Sequence, residues 1–410
     1  MLMYSLWACA RASLEYMRKG NAPHFMVVKD KAWMLKKVIH YLLLAAVLVG
    51  LPMGCAYLAG YDEMLADVAA FPPRCEEWLD DPARLWRVKC PFNWWVFSLF
   101  AAITVAMVAP FVLRMRCSRS LRPTGAVTAF SFPVWGWFSL AVMVGGWVLA
   151  WTRFEWFAAV QRYPYVLQWG GFIGLVNALC VKRSGRSPLT HDTRHYLVLF
   201  PVSSLFWWFF EYLNRYVWNW FYIGVPGISP LEYVIFATVC FASVLPGVVA
   251  VAEFLGTFRL FDEAVYSGMA RVNIRSGKSI VVLSLLTLFG LTGIVFFPQF
   301  AYPFLWISPL MGFVLLQVLM REASVLDDLA DGNWGLVFRF AVAALICGFV
   351  WETWNYYSYA KWIYNVPWVE RWKVWEMPIL GFAGYLPFGM ECAAVAAWVA
   401  PSLVVSRSRR

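Results

Sequence analysis

Apolar runs of roughly 18–25 residues recur along the whole chain of 410 residues. A bilayer core offers no partner to an open backbone N–H or C=O, so each run of that length must close its hydrogen bonds internally as an α-helix. Ten spans are expected, at about 38–60, 94–113, 127–151, 164–181, 196–222, 232–256, 279–297, 301–320, 336–357 and 376–400. The fold class that follows is an all-α, polytopic transmembrane helical bundle. With 61% hydrophobic and 14% charged residues, the chain has no stretch suited to a separate soluble domain.

The net charge of +10 does not point to nucleic acid, because the bases sit in short connectors where they set orientation. Arg114–Arg122, Lys182–Arg194 and Arg259–Lys278 fall on one side together with Lys29, Lys31, Lys36, Lys37 and the tail Arg407, Arg409 and Arg410. An even number of spans puts that side, and both termini, in the cytoplasm. The acid-rich connector Asp62–Lys89 then faces outward. The expectation is a multi-pass protein of a bacterial inner membrane. Met1–Gly20 lacks the apolar stretch and cleavage site of a signal peptide and suits an amphipathic surface helix. Cys75 and Cys90 share the outward connector and would be able to form a disulfide in an oxidising space.

Two stretches echo each other. Glu211-x-x-Asn214 and Glu352-x-x-Asn355 are followed at equal distance by Val225-Pro226 and Val366-Pro367. Each copy goes on to an acid before the next apolar run (Glu232, Glu376), a proline within it (Pro246, Pro387) and a later acid (Glu253, Glu391). Tyr163-Pro164 and Tyr302-Pro303 open spans at similar distances upstream. The organisation expected is a segment 1–37, two helices in 38–126, parallel four-helix repeats in 127–278 and 279–400, and a basic tail 401–410. Parallel repeats of this kind place sites at their interface.

A carboxyl group inside a span is expensive, faces the bundle interior, and is a functional candidate by default. Glu and Asn three residues apart share a helix face, so Glu211 with Asn214 and Glu352 with Asn355 form the leading candidates. Arg215 follows Glu211 in the favourable order for a helix salt bridge, whereas Glu352 has no such base and is the better proton donor. Glu391 lies deep in its span and stays a catalytic candidate. Glu232 and Glu376 open helices, where a carboxylate also simply suits the dipole. Most of the 25 Trp are expected as interface anchors. Trp218, Trp351, Trp354 and Tyr356, with Trp207, Trp208, Trp220 and Tyr357, crowd the Glu-x-x-Asn pairs. Aromatic faces beside an acid suit an apolar, isoprenoid-type ligand, or else a packed belt.

Asp327-Asp328-x-x-Asp331 has a spacing that can hold Mg²⁺ through oxygen ligands, but no second such motif accompanies it. His191 and His195, two of only four His, are i and i+4 in a basic loop with no further ligand than Asp192. There is no Walker A loop, GxSxG elbow or Cys-x-x-Cys, and no cofactor is expected.

The runs LFPVSSLFWWFFEYLNRYVWNWFY and WEMPILGFAGYLPFGME resemble a family of bacterial multi-pass membrane proteins rich in Trp and Tyr, over roughly the last 280 residues. WNWFYIGVPGISPLEYVIFA is similar to the small integral-membrane lycopene cyclases, whose repeated unit runs acid, W-x-Y region, then P-x-E-E. Pro230-Leu231-Glu232 matches P-x-E, Trp218–Tyr222 the aromatic region and Glu211 the acid. Tyr233 replaces the second acid, and the other copy reads Trp375-Glu376-Met377-Pro378. The resemblance implies protonation of a double bond and ring closure without a redox cofactor. The expected function is an intramembrane carboxylate and aromatic cavity for an apolar or isoprenoid molecule, in a cyclase- or isomerase-like enzyme. A proton-coupled transporter and a structural membrane subunit are the other classes left open.

Overall fold

The computed structural model describes residues 24–80, 89–118, 130–225 and 227–404. The expected surface helix at Met1–Gly20, Arg119–Arg122 and the tail Arg407, Arg409 and Arg410 lie outside the described residues. The chain is an all-α bundle. Its long helices are α1 (His24–Leu58), α2 (Trp94–Ser118), α3 (Val134–Trp151), α4 (Tyr165–Ser184) and α5 (Thr193–Val217). They continue with α6 (Pro230–Phe241), α7 (Val244–Gly256), α8 (Gly277–Phe296), α9 (Ser308–Leu319), α10 (Gly335–Tyr356) and α11 (Tyr385–Val399).

Each of the ten expected spans contains helix, but they are not ten equal spans. Eight stretches among the described residues are long and apolar enough to cross a membrane, with α6 and α7 counting as one of them. A ninth is Pro298–Trp306 with Ser308–Leu319, bent by 49°. The expected span at 164–181 is α4, a helix of 20 residues that carries Gln168, Asn177, Lys182 and Arg183. It is tolerated because its neighbours sheathe it: Gln168, Trp169, Phe172, Ile173 and Asn177 are all buried. Helix α3 packs on it so closely that a Cβ at Gly171 would lie 2.4 Å from the backbone nitrogen of Met143. Small residues let membrane helices approach in this way, and dispersion then holds them.

Burial sorts the helices. Every residue of α7 from Val244 to Ala252 is buried, which explains a helix apolar all round. Helices α1 and α2 lie at the periphery; the apolar window of α2 has none of its residues buried, as for a helix whose partner is lipid.

Two of the expected spans end early. Helix α5 stops at Val217, where Trp218 adopts a left-handed conformation with φ 49°, and the chain leaves as strand β1 (Trp220–Ile223). Helix α10 stops at Tyr356 and the chain leaves as β2 (Lys361–Tyr364). The two strands pair antiparallel, Trp220 opposite Tyr364 and Tyr222 opposite Trp362. Strands β3 (Lys373–Val374) and β4 (Met377–Pro378) form a second small ribbon. Glu376 therefore stands in a ribbon turn and opens no helix; α11 begins only at Tyr385, after a 3₁₀ stretch Ile379–Gly384. Cys75 and Cys90 are not bridged. The Cys75 thiol is buried against Trp218 and Phe221, and the Tyr222 N–H points to its sulfur at 3.3 Å.

Candidate functional site

At the end of the bundle where α5 and α10 stop, the β1–β2 ribbon covers an aromatic cavity of about 520 Å³. That volume lies within the range of small-molecule sites. Side chains alternate across a strand. Trp220, Tyr222, Trp362 and Tyr364 therefore share one face and line the cavity, while Phe221 and Ile363 turn to Trp218 and Cys75. Trp207, Trp306, Trp351, Tyr165 and Tyr385 supply further wall.

The two Glu-x-x-Asn units are built alike. Asn214 is a clasp: its Oδ1 accepts from the Asn219 and Trp220 N–H at 2.7 and 3.3 Å, and its Nδ2 donates to the Trp220 carbonyl at 2.9 Å. Asn355 does the same for β2, accepting from the Trp362 N–H at 2.9 Å and donating to the Trp362 carbonyl at 2.7 Å. Each asparagine thus fixes the strand that leaves its helix. Neither touches the carboxyl group on its own helix face; each orients it only through the strand.

The strands in turn bring hydroxyls to the carboxyls. Tyr222 donates to Glu211 Oε1 at 2.5 Å, and the Trp220 and Trp207 indoles donate to the same oxygen at 3.0 and 3.1 Å. Tyr364 donates to Glu352 Oε1 at 2.6 Å and Tyr385 at 3.2 Å. Trp362 Nε1 donates to the Tyr364 hydroxyl at 2.7 Å, extending the chain of donors. Glu211 and Glu352 are 1% and 0% exposed and are absent from the cavity lining, so they stand one layer behind the tyrosines. Glu352 Oε2 is buried with no hydrogen-bond partner among the described residues. Arg215 does not reach Glu211. Its guanidinium lies 5.8 Å from the Phe71 ring centroid and 5.7 Å from that of Trp218, so the expected helix salt bridge is absent among the described residues.

The remaining candidates are dispersed. Glu391 is buried on α11, and its Oε1 accepts from the Leu310 N–H at 3.2 Å. That N–H belongs to the first turn of α9, just past the 49° bend, so Glu391 caps a broken helix. Trp351 lines the cavity, whereas Trp354 packs on Trp169 and Phe172, and Trp218 lies on the far side of the ribbon. Tyr356 packs edge-on against Tyr357 and at a tilt against Trp375, off the cavity. Glu232 opens α6 as expected, where it accepts from the Tyr163 hydroxyl and pairs with Arg162 at 3.6 Å. Glu376 pairs with Lys361 at 2.5 Å.

The acidic triplet does not assemble a metal site. Asp327 is held by Arg275 through two hydrogen bonds of 2.9 Å and accepts from the Ser324 N–H. No cluster of His, Cys, Asp and Glu suited to a metal ion occurs among the described residues. His195 instead meets Asp192 at 2.6 Å, and Ser402 donates to the same carboxylate.

Tyr364, Tyr385, Trp362, Tyr165 and Trp306 are the residues that the sequence reading passed over. Three of them, Tyr385, Tyr165 and Trp306, carry no W-x-Y pattern. The second W-x-Y, Trp362-Ile363-Tyr364, repeats Trp220-Phe221-Tyr222 downstream of the second Glu-x-x-Asn. The fold and site together define a multi-pass membrane protein with an aromatic cavity at one end of its helical bundle. Compared with known proteins, the chain matches no family model, no curated protein and no solved structure.

Proposed function

We propose that this membrane protein takes an apolar, isoprenoid-type molecule into the aromatic cavity and does acid–base chemistry on it. The observation that carries the reading is the layering: an apolar chamber, then tyrosine hydroxyls, then buried carboxyl groups bonded to them. The two carboxyls are equipped differently. Three donors converge on one oxygen of Glu211, which suits an acceptor, whereas Glu352 has two donors and an oxygen left unpartnered, which suits a proton-bearing acid. Glu352 is the proton source: the Tyr364 or Tyr385 hydroxyl turns its own proton to the cavity and is re-protonated by the Glu352 carboxyl, and Glu211 is the partner acid. The matched clasps and the symmetric ribbon register support an ancient duplication as the origin of the two units. The acid and W-x-Y elements shared with the small lycopene cyclases favour protonation of a double bond as the reaction.

The test is mass spectrometry and absorption spectroscopy of what copurifies in mild detergent. A polyene or prenyl lipid is expected with the wild type and is lost in Trp306→Ala. Bulk phospholipid alone, identical in both, would overturn the reading and leave the cluster a packing belt. The bent pair beside the cavity, with its capped half-helix, favours a second reading as a proton-coupled transporter of the same molecule. Proton-driven uptake by reconstituted vesicles would select it; a chemically altered lipid product would select the enzyme.

A further inference from the structure

Charge is distributed one-sidedly around this cavity. Among the residues that line it, the charged ones are Arg162 and Lys361, both cations. Arg162 lies just before α4, which begins at Tyr165, and Lys361 lies in β2 just before Trp362. The Tyr165 and Trp362 rings are 6.1 Å apart, which brings together the two chain segments that carry these cations. The rest of the lining is uncharged and mostly apolar, with Phe241 and Val244 among its buried residues.

Neither cation is used up by its carboxylate. Glu232 and Glu376 stand outside the lining. The Arg162 guanidinium approaches Glu232 only to 3.6 Å and makes no hydrogen bond among the described residues, leaving its planar fork of donors available. Lys361 Nζ donates to Glu376 and, at 3.2 Å, to the Tyr356 carbonyl, leaving one of its three donors. Arg162 is 24% exposed and Lys361 21%, so both are partly desolvated and an anion brought to them is attracted more strongly than in bulk water.

Building on the cavity reading above, we infer that the ligand is an anionic amphiphile. A phosphate-type head lies between Arg162 and Lys361, and an isoprenoid-type tail fills the chamber. A neutral hydrocarbon would leave the two cations facing an apolar surface. A guanidinium matches a phosphate through two parallel hydrogen bonds, and an ammonium adds a point charge.

The experiment uses the full chain in mild detergent and reads quenching of its tryptophan fluorescence. The probes are geranylgeranyl monophosphate, geranylgeraniol and inorganic phosphate. The monophosphate is expected to bind at least tenfold more tightly than the alcohol. Arg162→Gln and Lys361→Gln should each cut that preference to about threefold or less, with the alcohol's affinity unchanged; either variant serves if the other fails to fold. Equal affinity of the wild type for both lipids would overturn the inference while leaving the cavity reading intact. Full competition by inorganic phosphate alone would overturn it too, by making the cation pair a simple anion site. If neither lipid binds, both readings fall together.

Discussion

Trp220 sits directly opposite Tyr364 in the ribbon, which makes neighbours of an indole that donates to Glu211 and a hydroxyl that donates to Glu352. Two carboxyl groups from distant parts of the chain are therefore coupled through one pair of strands. A change at either strand should be felt by both.

The two acids should respond differently to a neutral isostere. Glu352→Gln keeps the volume and the acceptor oxygen for Tyr364 and Tyr385, so the folded protein is expected to survive with its melting temperature little changed and its activity abolished. Turnover at the wild-type rate would remove Glu352 from the mechanism. Glu211→Gln replaces an oxygen that gathers three donors and should lower thermal stability more than Glu352→Gln does. Scanning fluorimetry in detergent checks that order.

Asparagine substitutions test the clasps. Asn214→Ala strands two N–H groups and a carbonyl at a turn where Trp218 already holds a left-handed conformation. The expected loss is about 2–3 kcal/mol. Asn355→Ala strands one N–H and one carbonyl and should cost less. Asp at position 214 should rescue only part of the loss, because it accepts but no longer donates. Full rescue by Asp would show that the donation to the Trp220 carbonyl is immaterial.

The α3–α4 contact leaves no room for a side chain at Gly171. Gly171→Ala is expected to destabilise by about 1–3 kcal/mol, since the added methyl meets backbone and not a movable side chain. Gly170→Ala, with nothing within 4 Å of its Cβ position, is the matched control and should be silent.

Acid should loosen the contact between the end of the described chain and the start of α5. Burial raises the Asp192 carboxyl, but the hydrogen bonds from Ser402 and His195 and the nearby His191 outweigh it and hold the group below its ordinary 3.8. A carboxylate depressed in the folded state contributes stability above its unfolded value and loses it as pH falls through the folded one. The contact should therefore be intact at neutral pH and weaken below about pH 4. Limited proteolysis across that range is expected to show increasing cleavage near Ser402 in the wild type. Asp192→Asn should be cleaved at a rate independent of pH; a parallel acid dependence in that variant would assign the effect elsewhere.

The helices were legible because a bilayer turns length and hydrophobicity into structure with few alternatives. The repeated Glu-x-x-Asn was legible as a pattern, but the work of its asparagine was not. Nothing local reveals that Oδ1 of Asn214 bonds backbone beyond the helix end, since the four-residue β1 starts inside the apolar stretch 196–222. Glu391 and Asp327 show the same limit. Their partners, Leu310 and Arg275, are remote in sequence, so nothing local reveals that Glu391 caps α9 or that Asp327 is ion-paired.

The ribbon also sets a schedule for biosynthesis. Its first strand leaves the ribosome long before its second, and at common translation rates the interval is roughly 7–28 s. Through that interval Trp220 and Tyr222 have no partner strand, and the nascent chain carries an open edge. Only when Tyr364 arrives can the edge close and the chamber acquire its roof. A ribosome stalled between the two strands would release a protein with most of its helices inserted and no finished site.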